Sequence, residues 1–157
     1  MSTPRLLTPR PTVTFDTNGR RTLVADVVVD LGEAVWDLHR WAFARPDGDQ
    51  IVRYGGGFHG TTVIRVPAGL RYDGASLPLG PIIGGLTYLL VGKKEKYELA
   101  GLVHDLLYQC QAPRAAADRV FWLIARSGEQ NVGPVRGWLT WVALRAGGWP
   151  AYRSHAA

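Results

Sequence analysis

The chain is expected to fold as α+β, with N-terminal antiparallel β-strands followed by a C-terminal three-helix region. Three observations lead there. Valine- and threonine-rich runs bounded by turn residues fill the first half, and apolar residues at helical spacing fill the second. The third is bulk: 46% of the 157 residues are hydrophobic, with six Trp, six Tyr and four Phe. A chain of ~100–200 residues usually builds one core, and each large aromatic can bury ~150–250 Å². Strands first and helices second is the α+β pattern.

The elements follow in order. Residues 1–12 are polar, carry Pro4, Pro9 and Pro11 and lack apolar periodicity, so they read as a flexible arm. Thr12–Phe15 is a strand that stops at the turn signal Asn18-Gly19. Leu23–Leu31 is valine-rich and suits one strand, and Val35–Arg45 is expected as another because its residues can be split into two alternating faces. Pro46-Asp47-Gly48-Asp49 turns the chain, Ile51–Tyr54 is short and extended, and Thr61–Val66 ends at Pro67. Lys94–Cys110 places Tyr97, Ala100, Gly101, His104 and Tyr108 on one helical stripe. Pro113 opens a second helix reaching Ser127, with Gly128 as its stop. Pro134 opens a third that ends at Gly147-Gly148. Residues 13–152 are expected as one domain and 153–157 as a tail.

The net charge of +5 permits attraction to anionic surfaces, but the basic residues are scattered and do not interleave with aromatics, which argues against specific nucleic-acid binding. A single cysteine, Cys110, excludes an intrachain disulfide framework. No signal-peptide core precedes Pro11. Nineteen uncharged residues, Gly74–Gly92, approach the ~20 of a membrane span, but Pro78, Pro81 and five glycines break the run, so no span is expected.

Chemistry concentrates at Val103-His104-Asp105-Leu106-Leu107-Tyr108. His104 has the one side chain that ordinarily exchanges protons near neutrality. Tyr108 shares its helical face, and Asp105 is turned ~100° away, free to reach a different partner such as a cation. The competing account is a buried His-Asp-Tyr network that ties helix to sheet. In Arg71–Pro78, Asp73, Gly74 and Ser76 form a tight loop that suits either a hard cation or an Asx turn satisfying its own backbone. Arg114 and Asp118 lie one helical turn apart; such a pair is ordinarily a solvated contact, and it gains interest if Asp118 faces His104 and fixes its tautomer. His39, expected in a strand, His59 and His155 have no partner at metal-binding spacing, and phosphate-loop, dinucleotide and serine-hydrolase motifs are absent.

Four ordered blocks carry a family resemblance: Val66-Pro67-Ala68-Gly69-Leu70 running on to Tyr72-Asp73-Gly74-Ala75-Ser76-Leu77-Pro78; Val103–Tyr108; Arg114–Phe121; and Gly148–Tyr152. Together they resemble the phage-associated domain-of-unknown-function family 1353. The chain departs from its pattern at Tyr72, where the family has Thr, and in a longer segment Leu79–Lys96. The resemblance implies a phage or prophage origin: the cytoplasm of an infected or lysogenic host, or the virion, with tail or virion proteins as partners. The His-Asp-x-x-Tyr helix, preceded by a glycine loop and followed by an Asp, is also similar to secreted phospholipase A2, without that family's cysteines. That likeness implies His104 as the base for water, Asp118 as its orienting acid, Tyr108 as a supporting hydroxyl, and calcium held by Asp105 with loop carbonyls; the loop's own composition adds Asp73 as a second carboxylate ligand. The expected function is a small phage-type hydrolase of an ester, lipid or envelope component, calcium-assisted in that form. The alternative is a non-catalytic virion or tail assembly protein in which the same residues lock loop to helix.

Overall fold

The computed structural model describes residues 4–17, 20–43, 52–54, 60–72, 97–128, 130, 132–147 and 152–153. Their order is β1 (Arg5–Leu6), β2 (Val13–Phe15), β3 (Arg21–Leu23), β4 (Val27–Asp30), α1 (Trp36–Phe43), β5 (Val52–Tyr54), β6 (Thr62–Val66), β7 (Arg71–Tyr72), α2 (Glu98–Gln109), α3 (Arg114–Ala125) and α4 (Pro134–Gly147). The fold is α+β: among the described residues all strands precede three C-terminal helices, with a further short helix among the strands.

The strands form two antiparallel sheets, one of four strands in the order β1-β4-β6-β5 and one of three in the order β2-β3-β7. Within the expected arm, Arg5–Leu6 pairs with Asp30 and Val29 at the edge of the larger sheet. The expected single strand Leu23–Leu31 is instead two, β3 and β4, one in each sheet. The break falls at Val24-Ala25-Asp26. Val24 is exposed, and the Asp26 carboxylate accepts from the Ala68 backbone N–H (2.8 Å) and from Arg65, pinning the crossover to the β6–β7 turn. In that turn Gly69 has φ +83°, a left-handed conformation that favours glycine, and its N–H reaches the Leu23 carbonyl at 2.8 Å.

A second correction concerns Val35–Arg45, which is helical over Trp36–Phe43 and not a strand. Either alternating face would have carried a charge inward: Arg40 on one, Asp37 on the other. A helical period buries Val35, Leu38, His39 and Ala42, spaced three and four apart, and leaves Trp36, Asp37 and Arg40 outside. The helix starts where Val35 accepts backbone N–H bonds from Leu38 and His39 (both 3.0 Å), while Thr62 Oγ1 holds the Val35 N–H at 3.0 Å.

The C-terminal helices lie where their spacing predicts, with Gly148 and Lys94–Lys96 outside the described residues. Helix α3 is buried nearly all round, at Ala116, Ala117, Asp118, Val120, Phe121, Leu123, Ile124 and Ala125, because it packs against α1, α2 and α4 together. Helix α2 also meets β6 and β7. The core runs from Val27, Val29, Ile64 and Val66 of the larger sheet through Leu102, Val103 and Leu107 to Val120 and Ile124. No described helix is long and apolar enough to cross a membrane.

Candidate functional site

His104 and Tyr108 stand one turn apart on α2, both buried, with ring centroids 4.0 Å apart. Phe121 of α3 closes on the imidazole edge-on at 5.6 Å. Ala100 and Gly101 on α2 and Ala116 and Ala117 on α3 are also buried and add little bulk between the helices. Short polar side chains can therefore meet there. Asp118, with no exposed surface, accepts on one oxygen from both neighbours: His104 Nε2 lies 3.0 Å and the Tyr108 hydroxyl 2.8 Å from Oδ1. The condition set by the sequence, that Asp118 face His104, is met.

The other oxygen, Oδ2, accepts from Arg145 of α4 at 3.1 Å, with Arg114 Nε farther off at 3.8 Å. Burial opposes the charge on Asp118, but the hydrogen bonds from His104, Tyr108 and Arg145 outweigh it and hold the carboxyl below the usual carboxylate value. An ionised carboxylate can only accept, so Nε2 of His104 carries the proton that points at it. In the neutral ring the lone pair is then on Nδ1. Burial first, and then the Asp118 charge, push the Tyr108 hydroxyl strongly up, partly offset by Arg114. Tyr108 is thus a fixed donor to Asp118.

Arg114 serves two neighbours. Its Nε donates to the Tyr108 oxygen (3.4 Å), and Nη2 donates to the carbonyls of Leu144 (2.7 Å) and Arg145 (2.6 Å) near the end of α4. Both carbonyls lie in the last turn of α4, where the helix dipole favours a cation. Tyr152 packs edge-on against Tyr108 at 5.0 Å and donates to the Ala112 carbonyl at 3.0 Å. The α2 end is closed by Gln111 at φ 57°, with the Gln111 N–H on Tyr108 O (3.0 Å) and the Ala112 N–H on Leu107 O (2.9 Å). A non-glycine residue holds this left-handed position while its side-chain amide donates to the carbonyls of Tyr108 (2.9 Å) and Tyr152 (3.2 Å).

Asp105 faces another way. Its charge, with that of Glu98, adds to burial in raising the Tyr72 hydroxyl of β7, while Arg21 acts oppositely. Along the same side of α2, Glu98 pairs with Arg21 (3.0 Å) and Gln109 donates to the Arg71 carbonyl (2.8 Å). The Tyr72 hydroxyl is buried there with no hydrogen-bond partner among the described residues, and the Arg21 guanidinium stands near enough to act on it. Asp73, Gly74, Ser76, His59 and His155 lie outside the described residues. Among the described residues no three His, Cys, Asp or Glu side chains converge, so Asp105 is the one described member of the expected calcium pair. Two carboxylates suit a hard cation, with carbonyls and water needed to complete its shell.

The structure therefore brings His104, Tyr108, Asp118 and Arg114 together and sets Asp105 on an adjoining face. Sequence reasoning missed Arg145, which lies 27 positions from its partner Asp118. It also missed Tyr72 as a buried hydroxyl. Neither has a local spacing that could reveal it; only the packing of α4 on α3 and of β7 on α2 creates the contacts.

The family described as "Protein of unknown function (DUF1353)" matches residues 49–144, and the chain belongs to that family. No curated protein and no solved structure matches the chain.

Proposed function

We propose that this DUF1353 member is a small hydrolase of phage or prophage origin in which His104 activates water against an ester of a lipid or envelope component. The observation that carries the reading is the Asp118 carboxylate on Nε2 of His104, which leaves the Nδ1 lone pair as the basic position. Nδ1 takes a proton from water as its oxygen attacks the acyl carbon. Asp118 offsets the imidazolium charge and holds the ring, and Tyr108 and Arg145 hold Asp118. The tetrahedral intermediate expels the alkoxide, which recovers the proton from Nδ1, giving acid and alcohol. Calcium, if bound by Asp105 and Asp73, would supply positive charge for the developing oxyanion. The reading places the protein in the host cytoplasm or the virion.

The test is hydrolysis of a panel of carboxylic and phospholipid esters by wild type and His104→Gln, alongside calorimetric calcium titration of wild type and Asp105→Asn. Loss of hydrolysis in His104→Gln, with the variant folded, supports the mechanism. Hydrolysis of every substrate unchanged by His104→Gln overturns it. Calcium binding lost in Asp105→Asn supports the metal-assisted form.

One observation favours a second reading, a non-catalytic virion or tail assembly protein. Arg114 spends two hydrogen bonds on α4 carbonyls and Arg145 reaches Asp118, so the network also fastens α2, α3 and α4 together. On that reading His104→Gln lowers stability and changes no activity, and the protein co-purifies with tail components.

A further inference from the structure

Helix α4 is apolar on two opposite sides. Gly137, Thr140 and Leu144, spaced three and four apart, face the interior, where Thr140 donates to the Tyr97 hydroxyl at 3.2 Å. Val135, Trp138 and Val142, also spaced three and four apart, point outward and are 69%, 56% and 37% exposed. A helix apolar all round is normally covered on every side, and a contiguous exposed apolar strip marks a contact surface. At ~100° per residue, Arg136 and Arg145 lie to either side of the outward strip; both are exposed, with Arg145 keeping Nη1 on Asp118. From Gln130 to its end the chain carries Arg136, Arg145 and Arg153 and neither Asp nor Glu.

We propose that this outward face of α4 docks on an anionic lipid surface, Trp138 and the two valines entering the head-group boundary and Arg136 meeting lipid phosphates, with Arg145 adding positive charge from its place beside Asp118. An apolar strip containing Trp, bordered by cations, is the composition that lies in a membrane interface. The charge decides among occupants. A second copy of α4 would bring a purely basic rim against a purely basic rim, whereas an anionic leaflet attracts it. The proposed contact is one of a helix face lying on the surface, and no described helix is long and apolar enough to cross a membrane. The attachment does not depend on the hydrolase reading: Val135, Arg136, Trp138 and Val142 lie outside the His104 network, and Arg145 alone is shared with it, through Asp118.

The experiment is co-sedimentation of the whole chain with vesicles of phosphatidylglycerol or of phosphatidylcholine, at low and high salt. Retention on the anionic vesicles is expected, falling with salt and much weaker on the zwitterionic ones. The triple variant Val135→Ser, Trp138→Ala, Val142→Ser should lower partitioning by about tenfold or more, and Arg136→Gln by about fivefold. These residues are exposed, so folding should survive, which circular dichroism checks. Trp36→Ala, at an exposed Trp on α1, should bind as wild type. His104→Gln should also bind as wild type, so failure of the hydrolase reading stays separate. Absence of retention on phosphatidylglycerol overturns the proposal, as does retention that persists in the triple variant. A concentration-dependent dimer abolished by the triple variant overturns it too, because the face would then belong to a second copy.

Discussion

His104 and His39 are both buried, both helical, and both have Nε2 on an oxygen, yet the polarity of that contact is opposite. Asp118 can only accept, so His104 donates to it at 3.0 Å. Thr62 already accepts the Val35 N–H, and its own proton needs an acceptor, which His39 Nε2 provides at 2.7 Å. The partner therefore sets the tautomer, and the tautomer sets the use. His104 is left with its lone pair on Nδ1, the ring held by Asp118. His39 spends a lone pair on holding the start of α1 to β6, and burial lowers its pKa from 6.5. Two histidines indistinguishable by residue type become a proton-handling candidate and a structural pin.

The largest effect that would sharpen this contrast comes from Asp118→Ala. It strands Arg145, His104 and Tyr108 around a missing charge, and removing one partner of a buried ionic network costs ~3–5 kcal/mol. Chemical denaturation should report a loss of that size. A loss no larger than that of Thr62→Val would break the comparison. Next is Tyr108→Phe, which deletes one donor to the same carboxylate and should cost ~1.5–3 kcal/mol in the same assay. Thr62→Val should cost ~1–2 kcal/mol, because the Val35 N–H is left buried without its acceptor.

The pH dependence separates the two histidines more finely. His39 titrates lower in the fold than in the unfolded chain, so its contribution is complete above pH 6.5 and is lost as pH falls through the folded value. Denaturation midpoints should decline on acidification below 6.5, and His39→Gln should flatten that decline; an unchanged slope would remove His39 from the account. Asp118 adds a further loss only at lower pH, below 3.8, where its depressed folded pKa is crossed. The smallest effect is expected at Arg119→Gln. It breaks a surface pair with Glu33 at 2.6 Å and should change stability by ~0–1 kcal/mol.

Much of the site was legible in the chain. His104 and Tyr108 share a face because a helix repeats every 3.6 residues, and Arg114 and Asp118 are bound to neighbour one another for the same reason. Four ordered blocks pointed to the family. Less legible was Val35–Arg45: two periods fit the residues equally on paper, and the decision came from which face could be buried without carrying Arg40 or Asp37 inward. The split of Leu23–Leu31 was equally hidden, since it depends on Asp26 meeting Arg65 and Ala68 about forty positions away.

The amino-acid sequence by itself determined the α+β order, the three C-terminal helices and the pairing of polar residues within each of them, because those depend on local spacing and capping. The tertiary structure alone decided that Asp118 meets His104, that Arg145 joins it from α4, that the charge of Asp105 reaches Tyr72, and that one side of α4 stays uncovered. Each of these depends on how helices and sheets pack across long stretches of chain, and local periodicity places a side chain on a face without saying what that face will meet.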